Sequence, residues 1–299
     1  MTDATINLTH LIGGTSVEGS NHFESRDPYR GTVVSRAPMG AQSDVDAAVA
    51  AATAAAPEVA AMPAYERAAI LRRVAALVVD RADEIGEILS REVGHAINDA
   101  KGEIRRSQNT LSLSAEEAIR IEGAHIPLDG SEMGNGKMAF LMRFPIGVVG
   151  AITPFNAPFN LACHKLGPAL AAGNATIIKP PQQCPAVVQK LVELFYEAGM
   201  PRHFINLVHG GIDTGRHLVA DPRVSFITFT GSSRAGREIR AQSGLRPVAL
   251  ELGGNGPCIV CQDADIDAIA PLLAKNSTRL GGQSCISVQN IYAHASIAE

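Results

Sequence analysis

The chain holds 299 residues, 46% hydrophobic and 19% charged, with 26 Lys plus Arg against 30 Asp plus Glu and a net charge of −4. That composition excludes a disordered chain, and with no basic excess or basic stripe it argues against nucleic acid as a partner. No apolar run follows a basic start at the N-terminus, and no window nears the ~20 apolar residues of a membrane span. Neither a signal peptide nor a membrane anchor is therefore expected. The five cysteines, Cys163, Cys184, Cys258, Cys261 and Cys285, are late, irregular and odd in number. That pattern suits a reducing compartment, and the cytoplasm is the expected location.

Residues 8–35 read as short strands and turns, punctuated by Gly13-Gly14 and by Asp27-Pro28 with Gly31. Ser43 is the expected N-cap of an alanine-rich helix, with Asp44 and Asp46 suited to its positive end. A second helix is expected over 65–77, where Ala68, Leu71, Val74 and Leu77 recur every three residues. Two more follow over 82–93 and 98–119. The glycine-rich stretch 121–142 reads as a protruding hairpin or linker. From residue 145 apolar runs and amphipathic stretches alternate. Strands are expected over 146–152, 175–178, 204–208 and 224–229, and helices over 160–171, 186–198, 215–219 and 233–242. That alternation predicts a parallel-sheet α/β architecture. Short strands at 248–250 and 258–261, a helix over 266–277 and a strand at 288–292 complete the chain.

Five segments carry chemistry. Gly231-Ser232 follows a strand and opens a helix, where free N–H groups suit a phosphate; an ordinary glycine turn explains it equally. No good G-x-G-x-x-G match is present. Lys179 ends a strand, at the edge where open α/β sheets bind ligands, although a surface lysine before Pro180 fits the same pattern. Cys285 sits in a glycine-rich polar stretch that exposes its sulfur, whereas Cys163 and Cys184 read as buried and inert. A free thiol titrates near ~8.5, so an attacking cysteine needs a base or a dipole. Glu251, between apolar residues and ahead of Gly253-Gly254, is the expected base if partly desolvated, and a salt-bridged strand-end acid otherwise. Asn156, in Thr153-Pro154-Phe155-Asn156-Ala157-Pro158, offers an amide donor to an oxyanion or else an Asx turn. Cys258 and Cys261 have C-x-x-C spacing, but three apart on a strand they face opposite sides, and no metal site is expected.

Taken together, Ile152-Thr153-Pro154-Phe155-Asn156, Leu250-Glu251-Leu252-Gly253-Gly254 and Gly282-Gln283-Ser284-Cys285 resemble the aldehyde dehydrogenase superfamily, with Cys285 lying 34 positions after Glu251. The likeness runs from Ile12-Gly13-Gly14 over nearly the whole chain. It implies a Rossmann-like open parallel-sheet cofactor domain with a helical N-terminal part, a protruding β-hairpin and an incomplete α/β catalytic domain. The implied division is 1–120 and 143–252 for the NAD(P)-binding domain, 121–142 for an oligomerisation hairpin and 253–299 for the start of the catalytic domain. The resemblance makes Cys285 the nucleophile that forms a thiohemiacetal and then a thioester. Asn156 and the Cys285 N–H form the oxyanion hole, and Glu251 activates water. NAD or NADP would be held by Ile152, Thr153, Pro154, Phe155, Lys179, Gln182, Gly231, Ser232 and Leu252. Lys165 resembles the family lysine near the catalytic asparagine.

Departures from the family pattern refine these expectations. Gln182 stands where NAD-preferring members commonly carry glutamate, which lowers repulsion toward a 2′-phosphate and favours NADP. Asn290 stands where related chains often carry arginine. Ala157 and His164 replace aromatic bulk near the expected substrate pocket, pointing to a small polar aldehyde such as a hydroxyaldehyde or semialdehyde. Family members continue past this cysteine, so the 299-residue chain alone is expected to show little or no activity, and the full-length form to be a dimer or tetramer. The alternatives are a non-catalytic nucleotide-binding or assembly module and a relative that passes the acyl group to coenzyme A, against which the intact Glu251 weighs.

Overall fold

The computed structural model describes residues 4–298. Strands β1 (Ile6–Asn7), β2 (His10–Ile12), β3 (Thr15–Val17), β4 (His22–Arg26) and β5 (Val33–Pro38) precede helices α1 (Gln42–Ala61), α2 (Ala64–Asp80), α3 (Ala82–Val93) and α4 (Ile97–Ala118). The stretch expected to protrude is an antiparallel hairpin, β6 (Ala124–Ile126) with β7 (Ala139–Leu141). Strands and helices then alternate: β8 (Val148–Ile152), α5 (Pro158–Ala171), β9 (Ala175–Lys179), α6 (Pro185–Glu197), β10 (Ile205–Leu207), α7 (Ile212–Ala220), β11 (Phe226–Thr230), α8 (Ser233–Ser243) and β12 (Val248–Glu251). β13 (Pro257–Val260), α9 (Ile266–Thr278) and β14 (Asn290–Ala293) follow.

α7 begins at Ile212, three residues before the expected 215, and two other helix starts differ from expectation for clear local reasons. Ala41, not Ser43, is the N-cap of α1, because the Asp44 carboxylate reaches back to accept the Ala41 N–H at 2.8 Å. α5 begins at Pro158, two residues early, since proline lacks the N–H that a first helical residue cannot use.

The main sheet has the order β12-β11-β8-β9-β10-β2-β3, with the first five strands parallel and the β2–β3 hairpin antiparallel. β8 and β9 are buried along their whole length, which is why they read as continuous apolar runs rather than alternating ones. α5 and α6 pack on the sheet and are backed by α2, α3 and α4; α1, α7 and α8 form a second packed group. Chain order runs β8-β9-β10 to one side and β11-β12 to the other. The strand order therefore reverses between β8 and β11, and ligands of open α/β sheets bind at the carboxyl ends of the strands at such a point. β13 and β14 form a separate parallel pair, and α9 between them buries none of its residues.

Candidate active site

The segment after β8 carries Asn156 and is held at both ends. At its start, the Thr153 N–H donates to the Lys179 carbonyl at 3.3 Å. At its end it enters α5, whose first N–H groups are all accounted for. Pro158 has none, Phe159 and Asn160 donate to Glu103 Oε1 at 3.0 and 3.1 Å, and Leu161 donates to the Ala157 carbonyl. Asn156, half-buried between these anchors, donates from Nδ2 to the Gln283 carbonyl at 2.7 Å. The two sequence-distant segments expected to form the oxyanion hole therefore meet.

The cysteine loop is shaped by an unusual run of backbone. Leu280, Gly281 and Gly282 are consecutive residues at positive φ, Leu280 being the sole non-glycine of that kind among the described residues. Residues 284–287 form a turn closed by the Ser287 N–H on the Ser284 carbonyl at 3.0 Å, and the buried Ser287 hydroxyl donates to the same oxygen at 2.8 Å. Cys285 stands exposed within this turn, as its glycine-rich surroundings predict. Gly254 lies so close that an added Cβ would overlap the Cys285 carbonyl oxygen. Asn290 donates to Asn255 Oδ1 at 2.6 Å, so the residue found in place of the usual arginine ties the cysteine segment to the one following Glu251.

Glu251 is exposed, which corrects the expectation of partial desolvation. β12 is the edge strand of the sheet and presents alternate residues to solvent, and Glu251 is its outward-facing last residue. It pairs in register with Thr230 of β11. Lys165 of α5 is buried there and donates to the hydroxyls of Thr228 and Thr230 at 3.1 and 2.9 Å. Burial pushes its ammonium down to about 8, against the opposing pull of Glu251.

A cleft of about 350 Å³ opens at the carboxyl ends of β8, β9 and β11. Of the residues expected to hold a cofactor, Ile152, Thr153, Lys179 and Gln182 line it. Lys179 is not the surface residue its position also allowed. It is buried, its pKa is lowered by desolvation to about 8, and it donates to the carbonyls of Pro180 and Gly210 at 2.8 and 3.1 Å. Those two bonds leave one of its three N–H donors for a ligand. Gly231 and Ser232 begin α8 at the cleft's edge, and Ser232 caps the helix by accepting the Ala235 N–H at 3.3 Å. Pro154, Phe155 and Leu252 lie outside this cleft. Phe155 lines a neighbouring crevice with Gln182, Gln183 and Gln283, and Leu252 packs against Gly236 of α8. Sequence reasoning missed Gly211 at the N-cap of α7, Gly215 and Arg216 of α7 and Glu238 of α8, which line the cleft and carry no motif of their own.

The two expected substrate-pocket residues lie at the N-cap and within the body of α5. Ala157 is buried as the N-cap of α5, and His164 is exposed with Nε2 3.4 Å from the Thr110 hydroxyl of α4. Two exposed arginines, Arg106 of α4 and Arg279 ahead of the cysteine loop, line a crevice of about 210 Å³ together with the acids Asp99 and Glu103. Cys258 is half-buried on β13 and Cys261 is exposed just beyond it, and no cluster of metal-ligating side chains occurs among the described residues. No single helix among them is long and apolar enough to cross a membrane.

A profile described as the aldehyde dehydrogenase family matches residues 15–299. A 3-sulfolactaldehyde dehydrogenase of Priestia aryabhattai is 47% identical over 234 residues, covering 78% of this chain and 49% of that protein. A sulfoacetaldehyde dehydrogenase of Neptuniibacter caesariensis is 38% identical over 236 residues, covering 79% and 52%. Among solved structures, the NADP-dependent glyceraldehyde-3-phosphate dehydrogenase of Bacillus halodurans complexed with NADP superimposes with a TM-score of 0.95 at 34% identity, over 98% of this chain and 62% of that one. The chain thus spans about half the length of the curated relatives it matches.

Proposed function

The chain belongs to the aldehyde dehydrogenase family, and on that premise we propose that it serves the oxidation of a small polar aldehyde to its carboxylic acid with NAD or NADP. The observation that carries this reading is the meeting of Asn156 with the cysteine loop, 2.7 Å from Nδ2 to the Gln283 carbonyl, beside a cleft at the sheet's switch point. Cys285 is the nucleophile, and the Asn156 amide with the Cys285 N–H receives the oxyanion. The exposed Glu251, next in register to Thr230, activates the water that releases the acid.

The cleft fits a dinucleotide at one helix start in particular. Protein carboxylates already occupy the N-termini of α5 and α6, through Glu103 and Glu92, while α8 is capped only by its own Ser232. Of the two remaining helix starts at the cleft, α7 carries the acidic Asp213 in its first turn, so the pyrophosphate goes to the start of α8, with Gly231 and Ser232. The cofactor supplies the hydride acceptor; Lys179 and Gln182 orient its ribose. Neutral Gln182 favours NADP, while the cleft-lining Arg216 is paired with Asp213 at 3.2 Å and Glu238 at 3.4 Å and adds little net charge. Residues 1–120 and 143–252 form the cofactor domain and 253–299 the first part of the catalytic domain. The hairpin at 121–142 serves homo-oligomerisation, with Met138, Phe140 and Met142 exposed along it.

The substrate reading narrows to an aldehyde bearing an anionic group. Three relatives are named for sulfo- or phospho-aldehydes, and Arg106 and Arg279 supply exposed positive charge beside the cysteine loop. Neither arginine is in an ion pair among the described residues.

The test is appearance of reduced cofactor with anionic and neutral short aldehydes, in parallel with Cys285→Ala. Production that needs Cys285 and favours the anionic aldehydes supports the reading, and production indifferent to Cys285 defeats it. Cofactor binding without production would favour a second reading, a nucleotide-binding module. One observation favours that second reading: α9 buries none of its residues, so the segment bearing Cys285 leans little on the core.

A further inference from the structure

Glu103 lies on α4, 53 positions before Asn156, in a stretch with no recognisable motif. Its residue is 6% exposed. Its Oε1 accepts both unpaired N–H groups of the first turn of α5, from Phe159 and Asn160. Ala157, the N-cap, has no side-chain acceptor of its own, so α5 relies on a cap from another helix. A second contact fixes the same junction: the Thr110 hydroxyl, two turns along α4, donates to Asn160 Oδ1 at 3.1 Å. Farther along, α4 and α5 run close enough that a Cβ on Gly167 would press on the Ser114 hydroxyl at 2.6 Å. α4 is therefore a rigid rail against which the start of α5 is set.

Asn156 sits two residues before α5, and its amide holds the Gln283 carbonyl two residues before Cys285. The connections form one path, from the Glu103 carboxylate to the α5 N-terminus, to the Asn156 amide, to the cysteine loop. We propose that Glu103 is a positioning residue: by capping α5 from α4 it sets the Asn156 amide and, through it, the backbone of the Cys285 loop. This assignment rests on the reading of Asn156 and Cys285 as the reacting pair.

The remaining carboxylate oxygen leaves room for a conservative test. Glu103 Oε2 has no hydrogen bond and faces the equally unpartnered Nδ1 of His95 at 3.9 Å, both side chains being buried. In Glu103→Gln the amide oxygen can keep both backbone N–H groups while the amide nitrogen faces His95. Glu103→Leu has similar bulk and no acceptor.

The experiment is hydrogen–deuterium exchange with peptide resolution on the full 299-residue chain, which needs no turnover. A failure of the aldehyde reading would appear only in cofactor reduction, so the two results stay separable. In Glu103→Leu, exchange is expected to rise about tenfold over 157–161, the effect of losing a helix cap, and to rise also over 282–287. Asn156→Ala should loosen 282–287 alone. The double variant should exchange over 282–287 no faster than Asn156→Ala, because both changes cut the same path. Glu103→Gln should match the wild type. If Glu103→Leu loosens 157–161 and leaves 282–287 unchanged, or if the two substitutions add over 282–287, Glu103 is only a helix cap and the proposal falls. Should Glu103→Leu speed exchange throughout, including β9 and β10, the shorter Glu103→Asp is compared with Asn156→Ala by the same criteria.

Discussion

Glu92 makes the same kind of contact on the neighbouring helix, where its energetic consequence can be worked through. It is 2% exposed and accepts the Ala186 N–H on Oε1 and the Val187 N–H on Oε2, each at 3.0 Å, with the Ser35 hydroxyl on Oε1 at 2.6 Å. Glu92→Ala leaves three buried donors without an acceptor, and each such group costs about 1–3 kcal/mol. Against this stands relief of the carboxylate's own burial, which lifts it from 4.5 to about 7, despite the three hydrogen bonds that favour its charge. That relief offsets up to about 3 kcal/mol near neutral pH. The net expected loss is about 3–9 kcal/mol at low pH, falling to about 0–6 kcal/mol near neutral pH, each kcal/mol being worth roughly 2–4 °C in Tm. Thermal melts of wild type and variant from pH 5 to pH 8 measure it. Because the folded-state pKa lies above the unfolded value, the stability Glu92 contributes is fully present below pH 4.5 and declines as pH rises toward 7. The gap between wild type and Glu92→Ala should therefore narrow with rising pH. A gap below about 1 kcal/mol at pH 5 would refute the cap argument, and one that widens with pH would show that hydrogen bonding to the charge outweighs burial.

Three further outcomes follow from the same geometry. In an active form of the enzyme, Gly254→Ala, which forces the Cys285 carbonyl to move by about 1 Å, should lower kcat/KM on the order of 100-fold, with Tm nearly unchanged because both segments are exposed; activity within threefold of wild type would contradict the close approach. Gln182→Glu places a carboxylate on the cleft opposite Gly211 and should weaken NADP at least about tenfold relative to NAD by like-charge repulsion, as titrations of each cofactor would show; an unchanged ratio would move the 2′-phosphate away from Gln182. Finally, burial lowers the pKa of both His10 and His209, whose rings lie 6.0 Å apart. A histidine with depressed pKa stabilises the fold above its unfolded value of about 6.5 and loses that contribution as pH falls. Tm should thus drop on acidification below pH 6.5, and less so in His10→Asn, which keeps an acceptor for the His209 N–H now received by His10 Nδ1 at 3.1 Å.

Much of this protein was legible without coordinates, because short-range patterns determine it. The alternation after residue 145, the hairpin at 121–142 and the exposed Cys285 all follow from periodicity and glycine placement, and each appears where it was expected. The four cleft residues Ile152, Thr153, Lys179 and Gln182 were readable as candidates because they sit at or just after the ends of two parallel strands, and Asn156 and Cys285 because each sits in a compact motif of its own. What stayed hidden depends on contacts between residues far apart in the chain. Nothing in α4 marks Glu103 as the cap of a helix that begins 55 residues later, and nothing near residue 92 marks Glu92 as the cap of α6. The exposure of Glu251 follows from β12 being the edge strand, and strand order is a property of the assembled sheet. A chain writes its local propensities into neighbouring residues, whereas the pairing of a buried carboxylate with a distant helix N-terminus is chosen only when packing brings them together and burial leaves no water to satisfy either.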